Sequence, residues 1–433
     1  MDAEETLEFA ATAFQTGDLD AAARYFREVI SRQPREPRAH AGLGTIALLS
    51  GDVHKSAAWY RRARSLRGDD PESCISLAWA FRFFGRPKEA MACLRRALEL
   101  NPHCGEARFA LAIEHLAMGD YRRGWAAYES RFDMKFERVQ WKRRRQPQWR
   151  GEPLNGDAIL LHAEQGFGDT LQFIRYVPLV AGRGGRVILE VQPEIRRLAA
   201  GLTGVERLIV PGEKAGRVRW QCPLMSLPLA FGTDLASIPA KVPYLTAAPR
   251  KVARWSGRLA GSNFRVGLVW GGNPHNPHEA VRTVPLNALA PVFSLSGVAF
   301  YSLQRGPQAQ ELHRAHRHLP ISPLDGRLGD FASTAAVIAC MDLVITSDTA
   351  VAHLAGALGK PVWILLAWQS DWRWLEQRED SPWYPTARLF RQPRPGDWPA
   401  VTDRVRNELA ALLPRDTLSF GALCPSPVKK LSS

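Results

Sequence analysis

The 433-residue sequence has no uninterrupted apolar run long enough to cross a bilayer, so no transmembrane segment is expected. Its most apolar stretch, 341–366, is broken by Asp342, Asp348, His353 and Lys360. Cysteine is scarce. The six residues (74, 93, 104, 222, 340 and 424) form no Cys-x-x-Cys pair and no Cys/His ligand spacing, which argues against a disulfide scaffold or a zinc module. Reduced thiols in a cytoplasm are the simplest account, and no metal or other cofactor is expected. Acidic residues are outnumbered, 43 against 57 Lys and Arg, and the net charge of +14 favours an anionic partner. Zinc-finger spacing, an RNP aromatic pattern and a groove-reading basic helix are all lacking. That turns the expectation away from nucleic acid and toward phosphorylated small molecules or an acidic membrane face. The opening residues, Met-Asp-Ala-Glu-Glu, are acidic where a secretory signal is basic and then apolar. A cytoplasmic protein is expected, with peripheral contact at the inner membrane face as a further expectation. The remaining composition, 45% hydrophobic and 23% charged, is that of a globular chain with room for two or three domains.

What is abundant is repetition. Gly17, Gly51, Gly85 and Gly119 stand 34 residues apart. Five residues after each comes a small residue (Ala22, Ser56, Ala90, Gly124), and nine after comes a bulky one (Phe26, Tyr60, Leu94, Tyr128). Small residues let paired helices approach, large ones fill the gap, and the glycine turns the chain. This is the tetratricopeptide pattern, expected over 1–134. Such arrays stack into a superhelix whose concave face holds a peptide or another protein; bracing of the following domain, or a dimer contact, is the equally weighted reading. Residues 135–156 form a basic linker. Over 135–150, Lys135, Arg138, Lys142, Arg143, Arg144, Arg145 and Arg150 surround a single acid, Glu137. A solvated connector and a site for an anionic acceptor are both open there.

From 157 onward short buried strands alternate with helices, which predicts an α/β architecture in two halves, 157–248 and 249–414, followed by a flexible tail from 415. The segment 239–249, with Pro239, Pro243 and Pro249, reads as the hinge between halves. In the first half, strand 158–162 runs into Ala163-Glu-Gln-Gly-Phe-Gly-Asp169. Gly166 and Gly168 allow a tight turn, and Asp169 is expected to cap the next helix. In the second half, strand 264–270 leads to a polar loop holding Asn273 and ending in Arg282-Thr283, a pair suited to phosphate. Strand 343–345 ends in Ser347-Asp348-Thr349, an N-cap signal, with His353 one turn on and Gly359 placed to end the helix. A hydroxyl, amides and an imidazole at a helix start make a diphosphate cradle; an ordinary capped helix is the alternative. Trp363, Trp368, Trp372, Trp374 and Trp383 crowd one region, as core filling or as a stacking surface for a sugar or base.

Glu164-Gln-Gly-Phe-Gly-Asp-Thr-Leu-Gln-Phe173 together with Asp348-Thr-Ala-Val-Ala-His-Leu-Ala355 resembles glycosyltransferase family 9, the heptosyltransferase family. With the repeats, the chain resembles bacterial tetratricopeptide proteins bearing a heptosyltransferase-like domain. The resemblance implies a GT-B fold, two Rossmann-like halves facing across a cleft, and inverting, metal-independent transfer from a nucleotide-diphosphate sugar to a protein or surface-polysaccharide acceptor. Carried over by position, it implies Asp169 as general base and Asp348, Thr349 and His353 as holders of the diphosphate. Gly166, Gly168, Asn273, Arg282 and Thr283 would complete the nucleotide-sugar site. Ala350 stands where the family commonly has glycine. At a helix N-terminus the Asp169 carboxyl is expected below its ordinary pKa. A dormant transferase domain on an interaction scaffold is the alternative, and transfer of O-linked N-acetylglucosamine to protein is the third.

Overall fold

A computed structural model of the chain describes residues 2–15, 18–50, 52–67, 70–83, 85–134, 145–259, 261, 263–274, 276, 279–315 and 319–413. Gly17, Gly51, residues 135–144 of the basic linker, His275, Pro277 and His278 of the 274–281 loop, and the tail from 415 lie outside the described residues.

Eight helices build the repeats: α1 (Ala3–Gln15), α2 (Leu19–Arg32), α3 (Pro37–Leu49), α4 (Val53–Arg67), α5 (Pro71–Phe83), α6 (Pro87–Leu100), α7 (Gly105–Ala117) and α8 (Tyr121–Tyr128). The repeat positions act as their spacing requires. Ala22, Ser56 and Ala90 are fully buried, and a Cβ added at Gly124 would stand 2.6 Å from the Leu116 side chain of α7. Gly85 and Gly119 turn the chain with φ of +65° and +79°, the left-handed region where glycine carries no steric penalty.

Two parallel sheets follow. The first contains β1 (Ala158–His162), β2 (Arg186–Glu190), β3 (Val205–Ile209) and β4 (Trp220–Pro223) in the order β3-β2-β1-β4. The second contains β5 (Phe264–Val269), β6 (Val298–Ser302), β7 (Ile321–Pro323), β8 (Leu343–Ser347), β9 (Val362–Leu366) and β10 (Ala387–Arg391) in the order β10-β9-β8-β5-β6-β7. Every pairing between these strands is parallel. All five residues of β1, of β8 and of β9 are buried, as expected of strands covered on both faces. The chain is therefore a helical tetratricopeptide part followed by paired parallel-sheet α/β halves of GT-B type.

One core runs through all three parts. Tyr121, Trp125 and Tyr128 of α8 belong to the same buried cluster as Ile159 and Phe173 of the first half and Val337, Trp372 and Trp383 of the second. The Trp125 ring meets Phe173 edge-on at 6.0 Å and Trp372 at 5.2 Å, and the Trp383 indole N–H donates to the Tyr121 hydroxyl at 2.9 Å. Most of the tryptophan cluster thus fills this junction. The 239–249 segment read as a hinge is tied down as well, because Tyr244 and Leu245 both donate their amides to the Ala357 carbonyl.

Candidate active site

The loop after β1 opens a short helix, Phe167–Phe173, with Gly166 as its N-cap. Asp169 is the third residue of that helix and not its cap, which corrects the sequence expectation. Its Oδ2 reaches back to accept the Gly166 amide at 2.8 Å. A carboxylate one turn into a helix satisfies a free N-terminal amide as a cap would, so the same local chemistry suits either position. The other oxygen, Oδ1, accepts from Nη2 of Arg373 in the second half. Arg373 is buried, and its Nε and Nη1 donate to Gln172 Oε1 at 2.6 Å and Asp371 Oδ1 at 2.9 Å. Its guanidinium also lies 4.2 Å from the Trp372 ring centroid.

Across the junction stands the helix Ala350–Ala357, capped by Thr349, whose hydroxyl accepts the Val351 amide at 3.3 Å. The helix closes in a Schellman turn, with Lys360 N–H to Ala355 O and Gly359 N–H to Gly356 O, made accessible by φ +68° at Gly359. His353 is buried. Its Nδ1 shares a 2.9 Å hydrogen bond with the Tyr384 hydroxyl, and its ring stacks on Trp374 at 5.4 Å. A Cβ added at Gly168 would lie 2.9 Å from His353 Cδ2 and 3.7 Å from the Ala350 Cα, so only a glycine lets the two helices meet this closely. Gly168 from one half is thereby brought directly against Ala350 and His353 from the other, with Asp169 the next residue along the chain.

Arg282 and Thr283 are engaged by a residue absent from the sequence expectation. Glu279, itself buried, takes Arg282 Nε at 2.6 Å on Oε2 and Thr283 Oγ1 at 2.9 Å on Oε1. The Gly272 amide also donates to Glu279. Asn273 is on the surface of the same loop. Arg282 still bears on the site, because its charge acts on both Asp348 and His353.

Burial dominates the electrostatics. It pushes the Asp169 carboxyl above its ordinary pKa, against the pull of Arg373 and the helix amides. This reverses the lowered value expected from the helix dipole, since loss of hydration outweighs a partial charge here. Burial and the Asp371 charge push Asp348 up to about 6. Burial also raises Asp371, but Arg373 outweighs it and holds that carboxyl below its usual range. His353 falls to about 3 through burial and the Arg373 charge, so at neutral pH it offers a hydrogen bond and not a cation.

Two further polar groups lie at strand ends. Val269 of β5 pairs with Thr346 of β8, and the next residues, Trp270 and Ser347, are both fully buried. The Trp270 Nε1 and Ser347 Oγ have no hydrogen-bond partner among the described residues.

Arg373, Asp371, Gln172, Tyr384 and Glu279 went unread in the sequence. The available signal was Asp371-Trp-Arg-Trp374, an acid and a base set between tryptophans that had to be buried.

The profile of glycosyltransferase family 9 (heptosyltransferase) matches residues 296–405, and tetratricopeptide profiles match 7–71 and 71–114. The first stretch contains Asp348, Thr349, His353, Asp371 and Arg373, while Asp169 lies outside it. The chain is 28% identical over 396 residues to Protein FlbA of Caulobacter vibrioides, covering 85% of this chain. It spans 66% of that relative, just under two thirds of its length. Among solved structures, a family 9 glycosyl transferase from Veillonella parvula shares 10% identity at a TM-score of 0.44, covering 62% of this chain and 93% of that one. The E. coli ADP-heptose lps heptosyltransferase II shares 15% identity at a TM-score of 0.43, covering 59% and 98%. The chain thus joins tetratricopeptide repeats in its N-terminal region to a glycosyltransferase domain of family 9, the heptosyltransferase family, on its C-terminal side.

Proposed function

We propose that the chain is an inverting glycosyltransferase that moves a sugar from a nucleotide-diphosphate sugar to a hydroxyl of a protein or a surface-polysaccharide precursor, with no divalent metal in the transfer step. The observation that carries this reading is the meeting of Gly168 with the Thr349-capped helix, and of its neighbour Asp169 with Arg373, across the two halves. An inverting displacement needs a base on one side of the anomeric carbon and a stabilised leaving diphosphate on the other. Asp169, its proton affinity raised by burial, supplies the base. The amide end of the Thr349 helix, Arg282 and Arg373 supply positive potential for the diphosphate. Pairing with Arg373 weakens Asp169 as a proton acceptor, so a diphosphate that draws Arg373 toward itself would strengthen the base. The unpartnered Trp270 and Ser347 groups support a polar ligand at the carboxyl ends of β5 and β8. The concave face of the repeats, or the basic segment 135–150, would receive the acceptor, in a cytoplasmic setting.

A dormant transferase domain on a repeat scaffold is favoured by one observation: Gly168 packs against His353 with no room for another atom between them. Calorimetric titration of UDP, GDP, ADP and CDP into the full chain tests the donor site, and hydrolysis of the matching nucleotide sugars separates the readings, since a dormant domain turns over none of them. For an active one, Asp169→Asn keeps the acceptor for the Gly166 amide and should retain donor affinity, while turnover falls by roughly 10²–10⁴-fold. Normal turnover in a folded Asn variant removes Asp169 as base. Activity abolished by EDTA and restored by magnesium or manganese overturns the metal-free step.

A further inference from the structure

The loop that carries Asp169 is gripped from outside its own half. Arg131 lies in the 3-10 turn Glu129–Asp133 directly after α8, and its side chain is fully buried. Its Nη2 donates to Glu164 Oε1 at 2.9 Å and to Ser226 Oγ at 2.7 Å, and its Nη1 donates to Glu129 Oε1 at 2.6 Å. One residue along the loop, Gln165 Nε2 donates to the Tyr128 hydroxyl of α8 at 2.8 Å. Within the first half, Gln192 steadies the same loop, donating to the Gln165 carbonyl at 3.0 Å and accepting from Thr170 Oγ1 at 2.9 Å. So Glu164 and Gln165, the two residues leading into Gly166-Phe-Gly-Asp169, are anchored by side chains that belong to the repeat array.

The chemistry of the anchor is unusual for mere glue. A buried Arg–Glu pair is a weak stabiliser, because desolvation of both charges offsets their attraction. An apolar contact of equal volume would join the parts as well. What a forked guanidinium adds is direction, fixing the carboxylate it binds in distance and angle. Here that carboxylate is five residues before Asp169, and the intervening chain is a tight turn with the Gly166 amide tied back to Asp169 itself.

We propose that Arg131 and Tyr128 are positioning residues for Asp169, so that the last repeat is a working part of the transferase site and not an appended binding module. The proposal rests on the reading of Asp169 as the base. Displacement of α8 is passed through Glu164 and Gln165 to the Asp169 carboxylate, and that gives a partner seated on the repeats a mechanical route to the reaction.

The test uses the full chain with Arg131→Met, Arg131→Lys and Tyr128→Phe, read by hydrogen-exchange mass spectrometry and by hydrolysis of UDP-, GDP- and ADP-sugars. In Arg131→Met, exchange of peptides covering 164–170 should accelerate at least tenfold, with β5 and β8 unchanged. Where the wild type hydrolyses one of these donors, kcat should fall at least tenfold with KM within twofold, because the donor is held by the other half. Arg131→Lys should recover part of both losses. Unchanged exchange over 164–170 in a folded Arg131→Met overturns the proposal, as does a KM effect without a kcat effect. If Arg131→Met does not fold, Tyr128→Phe decides, since it removes one hydroxyl from an otherwise intact core. Faster exchange of the Gln165 peptide supports the proposal and unaltered exchange overturns it. If the wild type hydrolyses none of the donors, the reading of Asp169 as base loses its support while the exchange arm still decides whether the repeats hold the loop.

Discussion

At the scale of single residues, the site is governed by how buried charges share one another. Arg373 is buried between Asp169 and Asp371, and its loss would leave two partly exposed carboxylates facing each other. Arg373→Met is expected to cost about 2–4 kcal/mol by denaturant unfolding, somewhat less than breaking a fully buried pair, because water still reaches both acids. Arg373→Lys should recover only part of it, since an ammonium cannot reproduce the three directed bonds to Asp169, Asp371 and Gln172. Asp348 and His353 form a second, opposed couple. The folded-state pKa of His353, about 3, lies below its ordinary 6.5, so the stability it contributes is present above 6.5 and is lost as pH falls toward 3. The folded-state value for Asp348, about 6, lies above its ordinary 3.8, so its contribution is present below 3.8 and is lost as pH rises through 6. Between about pH 4 and 6 the two slopes oppose. Asp348→Asn removes one of them, so this variant should lose melting temperature on acidification from pH 6.5 to 4 more steeply than the wild type; equal slopes would count against the assignment. None of this was legible in the sequence. Asp169 and Arg373 are 204 positions apart, and no local spacing announces a pair at that distance. The same blindness hid Glu279, although it sits only three residues from Arg282, because an acid near a base usually marks a solvated face.

At the scale of elements, local signals served well where the cause was local. The fully buried run of β1 was read at its observed bounds, and the Thr349 cap and Gly359 turn follow from cap chemistry and from a left-handed backbone. The stretch 286–293 divides into a 3-10 turn, Leu286–Leu289, and a short helix, Ala290–Phe293, because Pro291 lacks the amide a continuous helix needs. The contact between the Phe167–Phe173 and Ala350–Ala357 helices was beyond periodicity, yet it explains Gly168. A methyl there meets His353, so Gly168→Ala should destabilise the chain by about 1–3 kcal/mol through overpacking. Combining it with His353→Ala, which empties the space, should give less than the sum of the two single effects. Strict additivity in thermal unfolding would mean that the helices are not in contact in solution.

At the scale of the whole molecule, the repeats are unequal. The first helices have a core of their own around Phe26 and Leu43, whereas α8 is embedded in the transferase core through Tyr121, Trp125 and Tyr128. Removing residues 2–36 should therefore leave the main melting transition within about 2–4 °C of the full chain. A chain beginning at 145 would bare Phe173, Trp372 and Trp383 and should aggregate or lose its cooperative transition. Calorimetry on the two truncations makes the comparison, and equal behaviour would deny the last repeat its place in the core. The junction between the halves is graded from rim to centre. At the rim, Arg197 reaches Asp330 at 3.1 Å with its side chain 65% exposed. At the centre, buried Arg175 donates to the Trp383 carbonyl at 2.7 Å and to the Tyr244 hydroxyl at 3.0 Å. Dissolved salt screens exposed ion pairs over roughly 3 Å at 1 M and hardly touches buried ones. Brine should therefore unfasten the seam from its outer edge and leave the inner stitches closed, so that ionic strength sets how far the halves part without letting them separate.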